Sequence, residues 1–167
     1  MGISTGRGDD GSTSLLSGER ILKDDPHIEC LGVLDELDAF LGDAKTIIPS
    51  APLQALLMSI QEEISRIAGA IAARWPKTDT FDIAADKLKE EIKNLEQSLD
   101  DDVSAYQKGF AISGGSPLQA KLDIARTVCR RAERRLVSLA KISPCPMGIL
   151  RYINRLSDLL FLLARQY

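Results

Sequence analysis

The residues with the strongest chemical character fall in four places along the chain. Gly2, Gly6, Gly8, Gly11 and Gly18 crowd the first eighteen residues, among serine and threonine hydroxyls and beside Arg7 and Asp9. Glycine and the short hydroxyl residues favour turns and open backbone, so this segment does not read as a helix. It is either a loose terminal tail or a loop whose N–H groups and hydroxyls cradle phosphate. Further on, Arg126, Arg130, Arg131, Arg134 and Arg135 lie within ten residues. Such a run is ordinarily a solvated face. At about 100° per residue, however, Arg126, Arg130 and Glu133 fall within about 60° of one another, beside an apolar stripe. Charges at the edge of a core need partners or a ligand. Two guanidiniums there can hold an anionic group bidentately, with Glu133 fixing one of them.

The third place is the pair Asn154 and Asp158, one turn apart, with Arg155 between them. The fourth is the segment from Gly109 to Ser116, where Phe110 precedes the glycine pair Gly114-Gly115. The glycines let a ligand approach the backbone, and Phe110 is either a core plug or an aromatic wall. Asp35 is a lone oddity: it lies far round its helix from the Leu37 stripe, in a partly apolar setting. It is either exposed or paired with a cation on a neighbouring helix or subunit.

Several chemistries are excluded. The one histidine, His27, cannot build a histidine-rich zinc site and is a poor anchor for a serine triad. Cys30, Cys129 and Cys145 form no CxxC pair and read as reduced thiols. A net charge of −3 argues against a general nucleic-acid binder. With 44% hydrophobic residues and no apolar run near the roughly 18–20 residues that span a bilayer, no membrane segment is expected. No cationic stretch followed by an apolar core marks a secretory leader, so a cytoplasmic location is expected. The 167 residues fit one domain.

The elements that must position these residues read as helices. From Ile28, an apolar stripe of Val33, Leu37, Phe40, Leu41, Ala44, Ile47 and Ile48 recurs at three- and four-residue spacing. Pro52 is well placed to start a second helix, with Leu53, Leu57, Ile60, Ile64, Ile67 and Ile71 as its stripe. A third carries Leu88, Ile92, Leu95 and Leu99, with Asp100 to Asp102 at or past its end. Ser116-Pro117 reads as an N-cap and first-turn proline for a fourth helix. The fifth follows Pro146, and its Leu159–Leu163 segment is apolar on every side, which demands a central position or an oligomer interface. No strand-like alternation of useful length is present. The expectation is an all-α, five-helix up-and-down bundle over residues 28–167, preceded by a loop segment over 1–27.

Taken together, these blocks resemble the trimeric ATP:cob(I)alamin adenosyltransferases, the five-helix corrinoid enzymes related to the propanediol-utilisation type. The matching stretches are Thr5-Gly-Arg-Gly-Asp-Asp-Gly-Ser-Thr-Ser14, Arg20-Ile-Leu-Lys-Asp-Asp25, Leu34-Asp-Glu-Leu37, Phe110 to Ser116, Ala125 to Arg135 and Tyr152 to Asp158. The middle two helices match in pattern alone. The resemblance implies transfer of the 5′-deoxyadenosyl group of ATP to the cobalt of cob(I)alamin, with Mg2+ accompanying the nucleotide. It places Thr5, Gly6, Arg7, Gly8, Asp9, Thr13, Ser14, Lys23, Arg130, Arg131, Glu133, Arg134 and Asn154 at ATP-contacting positions. Phe110 matches the aromatic residue that displaces the lower axial ligand of cob(II)alamin. Asp35 and Arg126 match a salt-bridged pair that joins subunits and shapes the corrinoid site. A homotrimer is implied, with ATP between one chain's loop and another's fourth helix. A cobalamin reductase or an adenosylcobalamin-dependent enzyme is the implied partner class. The alternative is a carrier of the same fold with little turnover.

The chain also departs from that pattern. Gly6 and Arg7 stand where the family's loop usually has lysine and threonine, so one phosphate-binding ammonium is lost, although Arg7 can supply a charge one residue later. Ser113 stands where proline is common. Asp123 replaces a frequent histidine about one turn before Arg126, while Thr127 keeps the family's residue type.

Overall fold

The computed structural model describes residues 6–75, 80–99 and 112–167. Its helices are α1 (Pro26–Lys45), α2 (Ala51–Ala72), α3 (Thr80–Ser98), α4 (Pro117–Ala140) and α5 (Met147–Gln166). Each start has a local cause. The Asp25 carboxylate accepts the His27 backbone N–H at 2.8 Å, with Pro26 in the first turn, so α1 begins two residues before Ile28. Ser50 caps α2 ahead of Pro52, and the Ser116 hydroxyl accepts the Gln119 N–H at 3.0 Å ahead of Pro117.

The α5 segment Leu159–Leu163 takes the central position. Leu159 and Leu160 are fully buried, and α5 packs along α4 on one side and α3 on the other. Beyond α4 come α1 and then α2. Ion pairs Glu29–Arg135 and Glu36–Arg131 show α1 antiparallel to α4, whereas Phe81 and Asp82 meet Gly148 and Arg151 where α3 and α5 start together. The helices therefore alternate in direction along the chain, as the stripes predict. One contiguous core joins them, from Leu34, Leu37 and Leu41 through Leu122 and Leu136 to Ile149 and Ile153.

One expectation is corrected. Ser12–Ser14 (β1) and Arg20–Leu22 (β2) pair as an antiparallel hairpin, with Thr13 opposite Ile21. Three-residue strands are too short for a period-2 pattern to show in sequence. The pairing depends on turns at Gly11 and Gly18, whose φ values of +79° and +84° favour glycine.

Gly148 marks a close approach of the start of α5 to the start of α3. A Cβ placed there would lie 2.7 Å from the Asp82 backbone nitrogen and 2.8 Å from the Phe81 carbonyl carbon. Because backbone cannot swing aside as a side chain can, Gly148→Ala must push α5 off the start of α3. A loss of about 1–3 kcal/mol is expected, read as a lower denaturant midpoint at unchanged slope.

Candidate functional site

The N-terminal segment is folded from Gly6 onward, which decides against a loose tail for those residues. Gly6, at φ +67°, opens a turn closed by the Asp9 N–H on the Gly6 carbonyl at 3.2 Å. A second turn follows, with the Gly11 N–H on the Gly8 carbonyl at 3.2 Å. Two cations brace this ribbon. The Lys23 ammonium donates to the Gly8 carbonyl at 2.7 Å, and Arg20 Nη1 donates to the Arg7 carbonyl at 3.0 Å. Arg20 also pairs with Asp10 at 3.0 Å. The Ser12 hydroxyl and N–H both donate to Asp10, and these bonds, with Arg20, hold its carboxyl below the usual carboxylate range.

The hairpin is tied to the bundle by Glu19. Both of its oxygens accept from Arg74, at 3.0 and 2.7 Å. Arg74 and Trp75 follow α2 with φ of +56° and +64°, uncommon for residues other than glycine, and the reversal carries the Arg74 guanidinium to the hairpin. Leu15 is buried, while Gly6, Arg7 and Asp9 are exposed and Gly8 is half-buried. Thr13 and Ser14 lie in β1. Thr5 lies outside the described residues.

The second half of the site is the seam between α4 and α5. Asn154 Nδ2 donates to Glu133 Oε1 at 3.0 Å. Arg134 Nη1 donates back to the Arg130 carbonyl at 2.9 Å, and the exposed Arg130 lies near enough to Asp158 to favour its ionised form. Burial nevertheless outweighs the neighbouring arginines and pushes the Asp158 carboxyl above its ordinary value of 3.8, with Glu133 adding to the rise. Arg130, Glu133, Arg134 and Asn154 thus form one polar strip facing solvent, with Asp158 at its edge.

The arginine run is divided by the helix's own geometry. Arg131 points toward α1, ion-paired with Glu36, and lies with Arg134 along a surface groove of about 340 Å³ between α1 and α4. Arg135 pairs with Glu29 at 3.0 Å on the same side. Within one chain the structure does not bring Asp35 to Arg126. Asp35 is exposed in a small cleft between α1 and α2, and among the described residues no cation lies within ion-pair distance of it. Arg126 Nε instead contacts Asp123 at 3.4 Å, and its guanidinium lies 5.9 Å from the centre of the Phe161 ring. Phe110 lies outside the described residues. No hydrogen bond or ion pair joins residues 6–23 to α4 among the described residues, so one chain presents the two halves separately.

Three contributors escaped sequence reasoning. Glu19 and Arg74 are fifty-five positions apart, and nothing local marks them as partners. Arg165 closes on Asp123 from the last turn of α5; its signal was a cation directly after the segment Leu159–Ala164, which is apolar on every side. A cavity of about 520 Å³ between α2 and α3, floored by Tyr152 and Glu63, contains none of the expected site residues. The thiols are free, and burial raises Cys30 to about 11 and Cys145 to about 12, which removes them as nucleophiles.

Residues 3–167 match the cobalamin adenosyltransferase family. The chain belongs to that family. It is 38% identical over 172 residues to the corrinoid adenosyltransferase of Bacillus subtilis, covering 99% of this chain and 86% of that protein. It is 37% identical over 169 residues to the corrinoid adenosyltransferase PduO of Salmonella typhimurium, covering 99% of this chain but only 49% of the relative, so it spans about half that protein's length. Among solved structures, it superposes on an arginine-to-lysine variant of the PduO-type ATP:co(I)rrinoid adenosyltransferase from Lactobacillus reuteri complexed with ATP. That match has a TM-score of 0.86 and 31% identity, over 99% of this chain and 93% of the other. A phenylalanine-to-histidine variant of the Lactobacillus reuteri enzyme, complexed with cobalamin and ATP, matches at a TM-score of 0.81 and 30% identity, covering 98% and 89% of the two chains.

The raised Asp158 carboxyl gives a pH test within this family fold. An acid whose pKa rises on folding costs stability above that pKa, and the cost disappears as the pH falls below the unfolded value. Asp158→Asn is therefore expected to hold or raise the melting temperature at pH 7, with the difference from wild type vanishing as pH drops below 3.8.

Proposed function

We propose that this chain transfers the 5′-deoxyadenosyl group of ATP to cob(I)alamin, giving adenosylcobalamin and triphosphate. The observation that carries the reading is the family match over residues 3–167. In the reaction, the cobalt(I) lone pair forms the bond to C5′ of the ribose. The C5′–O bond breaks, the triphosphate departs with the bonding pair, and cobalt becomes formally cobalt(III). The nucleophile belongs to a substrate, so the protein's part is positioning and electrostatics.

The ribbon from Gly6 to Asp9, with Thr13, Ser14 and Lys23, holds the triphosphate through backbone N–H groups, hydroxyls and the ammonium. Gly8 has little room for a side chain, since a Cβ there would lie 3.2 Å from Lys23 Nζ. The α4–α5 strip of Arg130, Glu133, Arg134 and Asn154 supplies the other wall, and Arg131 flanks it. Because one chain presents these halves apart, the reading assigns the complete site to neighbouring subunits of a homotrimer, with Asp35 of one meeting Arg126 of the next. The exposure of Asp35 supports that pairing.

Among the described residues no group of three metal-ligating side chains is present. Mg2+ would be carried on the nucleotide, since this ion keeps several waters and takes one or two carboxylates beside substrate phosphates. When bound, it shields charge on the departing triphosphate. No described helix is long and apolar enough to cross a membrane, and the free thiols support a cytoplasmic location. A reductase that supplies reduced corrinoid, or an enzyme that consumes adenosylcobalamin, is the partner class. The altered Gly6-Arg7 opening favours one second reading, a carrier that retains ATP or adenosylcobalamin with little turnover.

Mixing cob(I)alamin, ATP, Mg2+ and the protein is expected to convert the cob(I)alamin spectrum to that of adenosylcobalamin with release of triphosphate. Binding without triphosphate release would favour the carrier. Arg130→Ala and Asn154→Ala are each expected to slow formation by about a hundredfold, the scale of losing one charge-stabilising donor; near-normal rates in both would overturn the site assignment. Phe110→Ala is expected to impair the route from cob(II)alamin while sparing pre-reduced cob(I)alamin, so equal loss by both routes would remove its assigned role.

A further inference from the structure

Along the α4–α5 seam the polar contacts keep one antiparallel register. Glu133 meets Asn154, Arg130 lies by Asp158, Arg126 lies by Phe161, and Asp123 meets Arg165. The proposed ATP wall is one end of this strip. The other end turns inward. The Asp123 and Arg165 side chains are only 4% and 3% exposed, which is rare for charged groups unless they are paired. Asp123 uses both oxygens: Oδ1 faces Arg126 Nε, and Oδ2 takes Arg165 Nη2. Phe161 sits by both guanidiniums, 5.9 Å from that of Arg126 and 5.2 Å from that of Arg165, within cation–π range.

This arrangement does more to Arg126 than fill space. Arginine has a long, rotamer-rich side chain, and holding one rotamer costs entropy each time a partner must capture it. Here the carboxylate and the ring restrain the guanidinium before any partner arrives, while a quarter of the side chain, 26%, stays exposed. A buried ion pair contributes little net stability against an apolar pair of similar volume, so stability alone does not explain it. We infer that Asp123, anchored by Arg165, is a positioning residue that presets the Arg126 guanidinium for the group it meets on the corrinoid side of the assembled site. This rests on the adenosyltransferase reading above.

The test uses the full chain. Asp123→Asn alone removes the buried carboxylate charge that faces Arg126 and Arg165 and is expected to lower the melting temperature. The double variant Asp123→Asn/Arg165→Met removes both charges, and each protein is assayed below its own melting temperature. The double variant is expected to fold and to raise KM for cob(I)alamin about tenfold, with KM for ATP changed by less than about twofold. A folded double variant with unchanged cob(I)alamin KM, or with both KM values raised alike, overturns the positioning role and leaves the adenosyl-transfer reading standing. A wild-type chain that forms no adenosylcobalamin overturns that reading, and the inference with it.

Discussion

From Leu159 to Ala164, α5 offers water almost nothing: five of those six residues are buried, and only Phe161 reaches the surface in part. A helix apolar on every side must be surrounded, and the remaining helices arrange themselves to do it. Helix α3 covers one flank and α4 the other, with α1 and α2 extending the layer beyond α4. The demand also sorts the polar residues of α5. Arg151, Asn154, Arg155 and Asp158 stay exposed, while Ile149, Tyr152, Ile153, Leu156 and Ser157 are buried in the core. The chemistry-bearing side chains are thereby confined to a seam, where two rigid helices fix their spacing.

That confinement explains how a chain poor in ordinary catalytic equipment builds a site. One histidine, Nδ1 hydrogen-bonded to the Asp25 that caps α1, and three free cysteines leave little for acid–base or thiol chemistry. What remains is a strip of guanidiniums, amide and carboxylate on α4 and α5, plus a braced ribbon of backbone donors. Such a set can hold a polyphosphate and stabilise its departure, and a reaction whose nucleophile is a metal centre in the substrate asks for little else. The strip is graded along its length. Its solvent end carries Arg130 and Asn154, and its inner end is closed by the buried Asp123–Arg165 pair.

The hairpin follows different rules. It has almost no core of its own beyond Leu15, and two exposed three-residue strands would be marginal alone. Charge does the bracing: Arg20 on Asp10 and the Arg7 carbonyl, Lys23 on Gly8, and Glu19 on Arg74 at the end of α2. Exposed ion pairs are individually weak, but here several restrain one short ribbon. A loop that must approach a ligand's phosphates benefits from order held at its edges.

The amino-acid sequence by itself determined the helices. Apolar residues at three- and four-residue spacing mark the buried faces, and Pro52 and Ser116-Pro117 mark two of the starts through local chemistry that needs no distant partner. The ordered blocks also determined the family, because residue types at matched separations survive without coordinates. Tertiary structure decided what depends on distant residues. It docked the glycine-rich hairpin on the bundle, where Glu19 meets Arg74. It divided the arginine run, sending Arg131 and Arg135 to pair with α1, leaving Arg130 by Asp158, and setting Arg134 between the two. It placed Arg126 beside Asp123 and Phe161, and left Asp35 exposed on another face. Helical periodicity gives the angle of a residue about its own axis, but which helix lies opposite that angle is set only when the whole core packs.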